Sequence, residues 1–119
     1  MKILVLGAAG MAGHIIAIYL NKKGHDVTGF ATRTINFCKS IVGDATDTRS
    51  LKQTLLEGNF DAVINCIGLL NQFAESSPSS AIFINSYLPH FIAEVLKDTS
   101  TKIIQMSTDC VFAGNTGPY

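Results

Sequence analysis

Apolar residues along this chain fall into short continuous runs separated by stretches with a helical period. Ile3-Leu4-Val5-Leu6 is the first run, and Lys2–Leu6 reads as a strand. Met11–Lys23 reads as a helix with Ile15, Ile16, Tyr19 and Leu20 on one stripe, closed by Gly24 as a C-cap. Asp26–Ala31 is a second strand, and Ile41-Val42 is a short third one ended by Gly43-Asp44. Thr48–Glu57 carries Leu51, Leu55 and Leu56 and reads as a helix stopped at Gly58-Asn59. Ala62–Ile67 is a strongly apolar fourth strand, followed by a polar stretch, Asn71–Ser80, that reads as a loop. A long helix then runs to about Lys97, its core side made by Ile82, Phe83, Leu88, Phe91, Ile92, Val95 and Leu96. Pro89 falls inside it and predicts a kink or break near Tyr87, because proline donates no N–H and disfavours helix in the residue before it. Lys102–Met106 is a fifth strand, and the tail from Ser107 to Tyr119 has no helical period.

Strands that alternate with helices predict an α/β fold: a doubly wound parallel sheet of about five strands, with right-handed crossovers and helices on both faces. Continuous rather than alternating apolar runs suit strands buried on both sides. Ligands on such sheets bind beyond the carboxyl ends of the strands, where the strand order reverses. Here those ends are Gly7, Ala31, Gly43-Asp44, Cys66–Gly68 and Ser107-Thr108-Asp109, and all five are expected to line one crevice.

Composition narrows the function classes. The 119 residues suffice for one domain with a core, so residues 1–119 read as a single unit. The formal net charge is zero, which leaves no basic face for nucleic acid or an anionic membrane. No run approaches the roughly 20 apolar residues of a membrane span. Lys2 and the run behind it do not form a secretion signal, since Gly7, Gly10, Gly13 and His14 interrupt the stretch. A cytoplasmic location is expected. Cys38, Cys66 and Cys110 are widely spaced, without a Cys-x-x-Cys or a histidine pair, and read as reduced thiols with no metal.

Chemistry concentrates behind the first strand, in Gly7-Ala8-Ala9-Gly10-Met11-Ala12-Gly13. A glycine turn entering a helix presents bare N–H groups and the positive end of a helix dipole, which suits a pyrophosphate. Gly7 permits the turn, Gly10 lets the backbone approach phosphates, and Gly13 lets helix and strand pack closely. The Gly-x-x-Gly-x-x-Gly spacing resembles the extended short-chain dehydrogenase/reductase family, and so implies a Rossmann-type domain that binds a nicotinamide dinucleotide. In that family an acidic ribose ligand ends the second strand. Here the position is Ala31, followed by Thr32 and Arg33, while Asp26 lies at the strand's other end. A carboxylate would repel a 2′-phosphate and Arg33 would pair with one, so NADP(H) is expected, with NAD(H) as the alternative. By the same resemblance Asp44 accepts a hydrogen bond from adenine; its other reading is a turn or N-cap residue. Asn65 is either a backbone brace or a ligand, and Cys66 is a small buried hydrophobe rather than a nucleophile. The implied cofactor set is Gly7, Gly10, Met11, Ala12, Gly13, Thr32, Arg33, Asp44, Ala45, Cys66, Gly68, Leu69 and Met106.

Ser107-Thr108-Asp109-Cys110-Val111-Phe112, with Gly114 and Gly117-Pro118-Tyr119, is similar to the Ser-Thr-Asp-Tyr-Val-Phe-x-Gly signature of the dTDP-4-dehydrorhamnose reductase-like nucleotide-sugar reductases. Cys110 replaces the usual tyrosine, and Asn85 and Glu75 extend the likeness over the chain. The resemblance implies hydride transfer to the C4 keto group of a deoxy-sugar nucleotide, with Thr108 tuning the proton donor and Asp109 helping to hold the sugar. The donor itself would be the tyrosine of a Tyr-x-x-x-Lys helix. Only Tyr19 and Lys23 have that spacing here, and they lie in the first helix. The expectation is a reductase domain that stops before its substrate-binding part, inactive alone. Its alternatives are a non-catalytic regulatory subunit and an epimerase or dehydratase of the same family. An unpaired fifth strand, Lys102–Met106, would also let two copies associate.

Overall fold

The computed structural model describes residues 1–108 and 114–115. The elements run β1 (Lys2–Leu6), α1 (Met11–Lys22), β2 (Asp26–Ala31), β3 (Lys39–Val42), α2 (Thr48–Glu57), β4 (Ala62–Asn65), α3 (Gln72–Ser76), α4 (Pro78–Ile82), a π-helical turn (Phe83–Tyr87), α5 (Leu88–Leu96) and β5 (Lys102–Gln105). All strand pairings are parallel, in the order β3-β2-β1-β4-β5. This is the Rossmann-type arrangement expected from the alternation of runs. Leu6 pairs with Phe30 on one side and Asn65 on the other, so the three central strands end level.

Each face of the sheet has its own core. Leu4 and Leu6 join Phe30, Val63, Leu51, Leu55, Leu88 and Ile92 beneath α2 and α5. Ile3 and Val5 join Val27, Ile64 and Ala17 beneath α1. The period of two in a strand sends adjacent residues to opposite layers, and so a continuous apolar run is required.

Several boundaries and faces differ from expectation, each for a local reason. β4 ends at Asn65, not Ile67, because the Asn65 side chain takes the Ile67 N–H at 3.2 Å and turns the chain. β3 starts earlier, at Lys39, whose ammonium pairs with Asp26 at 2.7 Å. The stretch 71–80 is not a loop: it holds α3 and the start of α4, with Pro78 in α4's first turn where no N–H is needed. Before Pro89 the α-helical bonding changes to a π-helical turn, while the backbone stays helical through Tyr87 and Leu88. The π-helical turn ends at Tyr87, and Pro89 enters the first turn of α5. Ile84, Leu88, Ile92 and Leu96 form the buried stripe, which leaves Ile82, two residues before it, exposed on the far side.

α1 is the largest correction. Ile15 and Tyr19, expected on its core stripe, are 63 % and 58 % exposed, and the buried residues are Gly13 and Ala17. Small residues face the sheet because the helix starts so close to it. A Cβ built on Gly13 would lie 2.2 Å from the Gly7 carbonyl oxygen and 2.8 Å from its carbon. Gly13→Ala must push α1 off the end of β1. Overpacking of this kind costs roughly 1–3 kcal/mol, and the expected outcome is a urea midpoint shifted down accordingly. An unchanged midpoint would contradict the close packing.

Candidate functional site

A cleft of about 300 Å³ opens at the carboxyl ends of the strands. It is lined by Gly7, Ala9 and Gly10 after β1, by Phe30, Ala31 and Thr32 at the end of β2, and by Gly43, Asp44 and Ala45 after β3. Cys66, Ile67 and Gly68 after β4 close the other wall, with Ile84 from the π-helical turn. Connections leave β1 toward β2 on one side, while β4 pairs with β1 on the other, so the cleft sits where the strand order reverses. A larger hollow of about 650 Å³ lies between α2 and α5, and none of the expected site residues lines it.

The glycine turn is built for an anion. Gly7 has φ +77°, and its N–H and that of Ala8 both donate to the Phe30 carbonyl, at 2.9 and 3.1 Å. These bonds fix the turn to the end of β2. The Gly10 N–H donates to the Gly7 carbonyl at 2.9 Å, and His14 N–H to Gly10 is the first helical bond. The N–H groups of Met11, Ala12 and Gly13 find no acceptor among the described residues. Gly10, the N-cap residue, supplies no side chain, and the first turn holds no acid. Three donors and the helix's partial positive charge therefore await an external anion. A Cβ at Gly7 would sit 3.0 Å from Ile67 Cγ1 and 3.2 Å from the Cys66 carbonyl carbon, so only glycine leaves the cleft open between β1 and β4. These groups fit the diphosphate of a dinucleotide.

The other expected residues divide by position. Thr32 lines the cleft, and Arg33 is exposed beside it with no ion pair among the described residues. Asp26, at the opposite end of β2, is held by Lys39. Asp44 Oδ1 accepts from the Thr46 N–H at 2.8 Å and the Thr46 hydroxyl at 2.7 Å. Those two bonds hold its carboxyl below the usual carboxylate range, and it stands at the cleft as an ionised acceptor. The N-cap of α2 is Asp47, which accepts from the Ser50 N–H. Asp44 is thus a turn residue rather than the N-cap of α2, and its carboxylate also lines the cleft.

Asn65 is a brace. It is fully buried, donates to Gln105 Oε1 at 2.9 Å, and accepts from Ile67 N–H. Met106 N–H donates to the Asn65 carbonyl at 3.1 Å, so the ends of β4 and β5 are tied together. Met106 does not line the cleft, nor do Met11, Ala12, Gly13, Arg33, Leu69 or Thr108. Thr108 is exposed, three residues beyond β5. Asp109 and Cys110 lie outside the described residues. Asn85 carries more than the sequence revealed. Its side chain accepts from the Leu69 N–H at 2.8 Å and donates to the Leu69 carbonyl at 2.7 Å, clamping the segment that follows Gly68. The sequence marked it as an amide within an apolar helix and as part of the family likeness, without showing this clamp. Cys66 is half-buried, and burial pushes its thiol up from the ordinary value. Among the described residues no cluster of three His, Cys, Asp or Glu could hold a metal ion, and no helix is long and apolar enough to cross a membrane.

Comparison with known proteins agrees with this geometry. The family described as RmlD substrate binding domain matches residues 1–119. A Haloferax volcanii protein named "probable low-salt glycan biosynthesis reductase" is 34% identical over 122 residues, covering 100% of this chain and 41% of its own. The dTDP-4-dehydrorhamnose reductase of Streptomyces griseus is 30% identical over 118 residues, covering 98% of this chain and 36% of its own. Among solved structures, the UDP-glucose 4-epimerase of Bifidobacterium longum, in complex with NAD+ and UDP, superposes with a TM-score of 0.81 at 25% identity. It covers 95% of this chain and 38% of that one. The chain thus spans well under half the length of the proteins it matches.

The raised Cys66 thiol has a direct consequence. Less of it is thiolate at any given pH than of an unperturbed thiol, and thiolate is the reacting form. Iodoacetamide at pH 8 should label the Cys66 peptide more slowly than free glutathione, with the rate still climbing as pH rises past the ordinary thiol range. Peptide mapping checks this, and a Cys66 rate equal to that of glutathione would contradict its burial.

Proposed function

The chain belongs to the RmlD substrate-binding domain family, and from that premise we propose that residues 1–119 form the NADP-binding portion of a nucleotide-sugar reductase. The substrate class is a 4-keto deoxy-sugar nucleotide of the dTDP-4-dehydrorhamnose kind. A bound nicotinamide dinucleotide supplies the hydride for reduction at C4.

One observation carries the reading: the N–H groups of Met11, Ala12 and Gly13 have no acceptor among the described residues, and the turn that leads into them, Gly7, Ala9 and Gly10, lines the cleft opposite Cys66 and Gly68. Around the diphosphate so held, the remaining roles follow by position. Asp44 accepts from the adenine amino group through a carboxylate kept ionised by Thr46. Arg33 takes the 2′-phosphate beyond Thr32, at the end of β2, a strand that closes on Ala31 and not on a carboxylate. Gly68 and Leu69, the latter fixed by Asn85, support the ribose on the nicotinamide side. Thr108 and Asp109 face the sugar, Thr108 tuning the proton donor by a hydrogen bond. The proton donor belongs to a Tyr-x-x-x-Lys helix, and the one pair with that spacing, Tyr19 and Lys23, is engaged in a cation–π contact at 5.5 Å at the far end of α1.

A nucleotide-sugar epimerase is the second reading, favoured by the likeness to the Bifidobacterium longum enzyme. The two differ in redox balance. A reductase oxidises one reduced cofactor per sugar, whereas an epimerase leaves the cofactor's redox state unchanged over a turnover.

Calorimetric titration of the chain tests the phosphate assignment. NADPH should bind more tightly than NADH by about tenfold, the scale of one exposed charge-assisted hydrogen-bond pair. Arg33→Ala should bring the two affinities close together by weakening NADPH alone. Equal affinities for the two dinucleotides in the native chain would remove Arg33 from the role.

A further inference from the structure

The segment between β2 and β3, residues 32–38, contains no helix, yet it is not a free loop. We propose that Asn21 and Phe37, both outside the cleft, are positioning residues that set the cofactor preference of the site by anchoring this crossover along α1; the inference rests on the reading of Arg33 as the 2′-phosphate ligand.

Five contacts hold the crossover, two of them beside the sheet. Ile35 is buried, and its Cδ1 occupies the space above Gly29, where a Cβ would lie 2.3 Å away. Cys38 packs against the same glycine, at 3.2 Å from that Cβ position. The Ile35 N–H is satisfied by the Ser40 hydroxyl at 3.1 Å. Beside the sheet, Asn21 Nδ2 donates to the Phe37 carbonyl at 2.8 Å. The Phe37 ring packs on His14 with centroids 4.8 Å apart and planes inclined by 55°. His14 and Asn21 are two turns apart on α1, so Phe37 is gripped by the helix at two levels.

The consequence concerns Arg33. Its guanidinium is exposed and has no ion pair among the described residues, so its own contacts do not orient it. Binding must therefore order a long side chain and whatever backbone carries it, and that ordering subtracts from affinity. Anchoring Ile35 and Phe37 removes the backbone share in advance. The same helix that presents Met11, Ala12 and Gly13 to the diphosphate also fixes, between two and three turns further along at Asn21, the crossover that carries Arg33. Diphosphate and 2′-phosphate sites are thereby placed relative to one rigid element. A dinucleotide without the 2′-phosphate does not engage Arg33 and is indifferent to the anchor.

Asn21→Ala tests this, and alanine at an exposed helical position does not threaten α1. Calorimetry on the chain with NADPH and NADH should show NADPH weakened by about threefold to tenfold, the effect of one hydrogen bond, and NADH unchanged within about twofold. Asn21→Gln, which keeps an amide donor, should restore part of the preference, and Phe37→Leu should reduce it while leaving NADH binding intact. Equal weakening of both dinucleotides would mean a general loosening of the fold and would overturn the inference. So would a preference for NADPH that survives Asn21→Ala. Equal affinities in the native chain would instead overturn the phosphate reading at Arg33, and the inference with it.

Discussion

The carbonyl of Gly7 and the backbone of Gly13 lie closer together than any side chain allows. That contact brings the amino end of α1 down onto the end of β1. It leaves the first-turn N–H groups of the helix without acceptors among the described residues, directly after the turn that lines the cleft where the sheet's connections diverge. It makes small residues, Gly13 and Ala17, the buried side of α1 and turns Ile15 and Tyr19 outward. The Phe30 carbonyl, accepting from both Gly7 and Ala8, then locks the turn to β2. Because β1, β2 and β4 end level, the residues that follow each of them share one cleft.

Much of this was legible in the sequence, because it rests on local rules. The order of strands and helices followed from the apolar runs and the glycine punctuation. Gly7, Gly10, Thr32, Asp44, Ala45, Cys66 and Gly68 were expected at the cleft from strand ends and family likeness, and they line it. What escaped was set by packing at a distance. The stripe of α1 was half misread: Ile16 and Leu20 pack on the core as expected, but Gly13 and Ala17 take the places given to Ile15 and Tyr19, because the approach to Gly7 admits only small residues. The polar stretch 71–80 was misread because α3 and α4 are each five residues long, too short to show a period. Asn65, Asn85 and Gln105 look alike as isolated amides in the sequence. Only the fold shows one tying two strand ends, one clamping Leu69, and one closing the network at Met106.

These amides share a physical purpose. Parallel strands end with unpaired carbonyls and N–H groups, and a ligand site there needs those groups held without being consumed. Asn65 satisfies Ile67 N–H, Asn85 satisfies both polar groups of Leu69, and Thr46 hydrogen-bonds the Asp44 carboxylate. Each side chain fixes a cleft-lining segment from behind. The first-turn donors of α1 have no acceptor among the described residues, a state that suits an anion there.

The central claim, that the first-turn N–H groups of α1 receive the diphosphate, is open to direct observation. An isotope-labelled sample titrated with NADPH reports each backbone N–H separately in a two-dimensional nitrogen–proton NMR spectrum. Direct hydrogen bonding to phosphate should move the resonances of Met11, Ala12 and Gly13 downfield, more than those of the Lys22 end of the same helix. Shifts confined to the α2–α5 hollow, or first-turn resonances that stay in place at saturation, would contradict it.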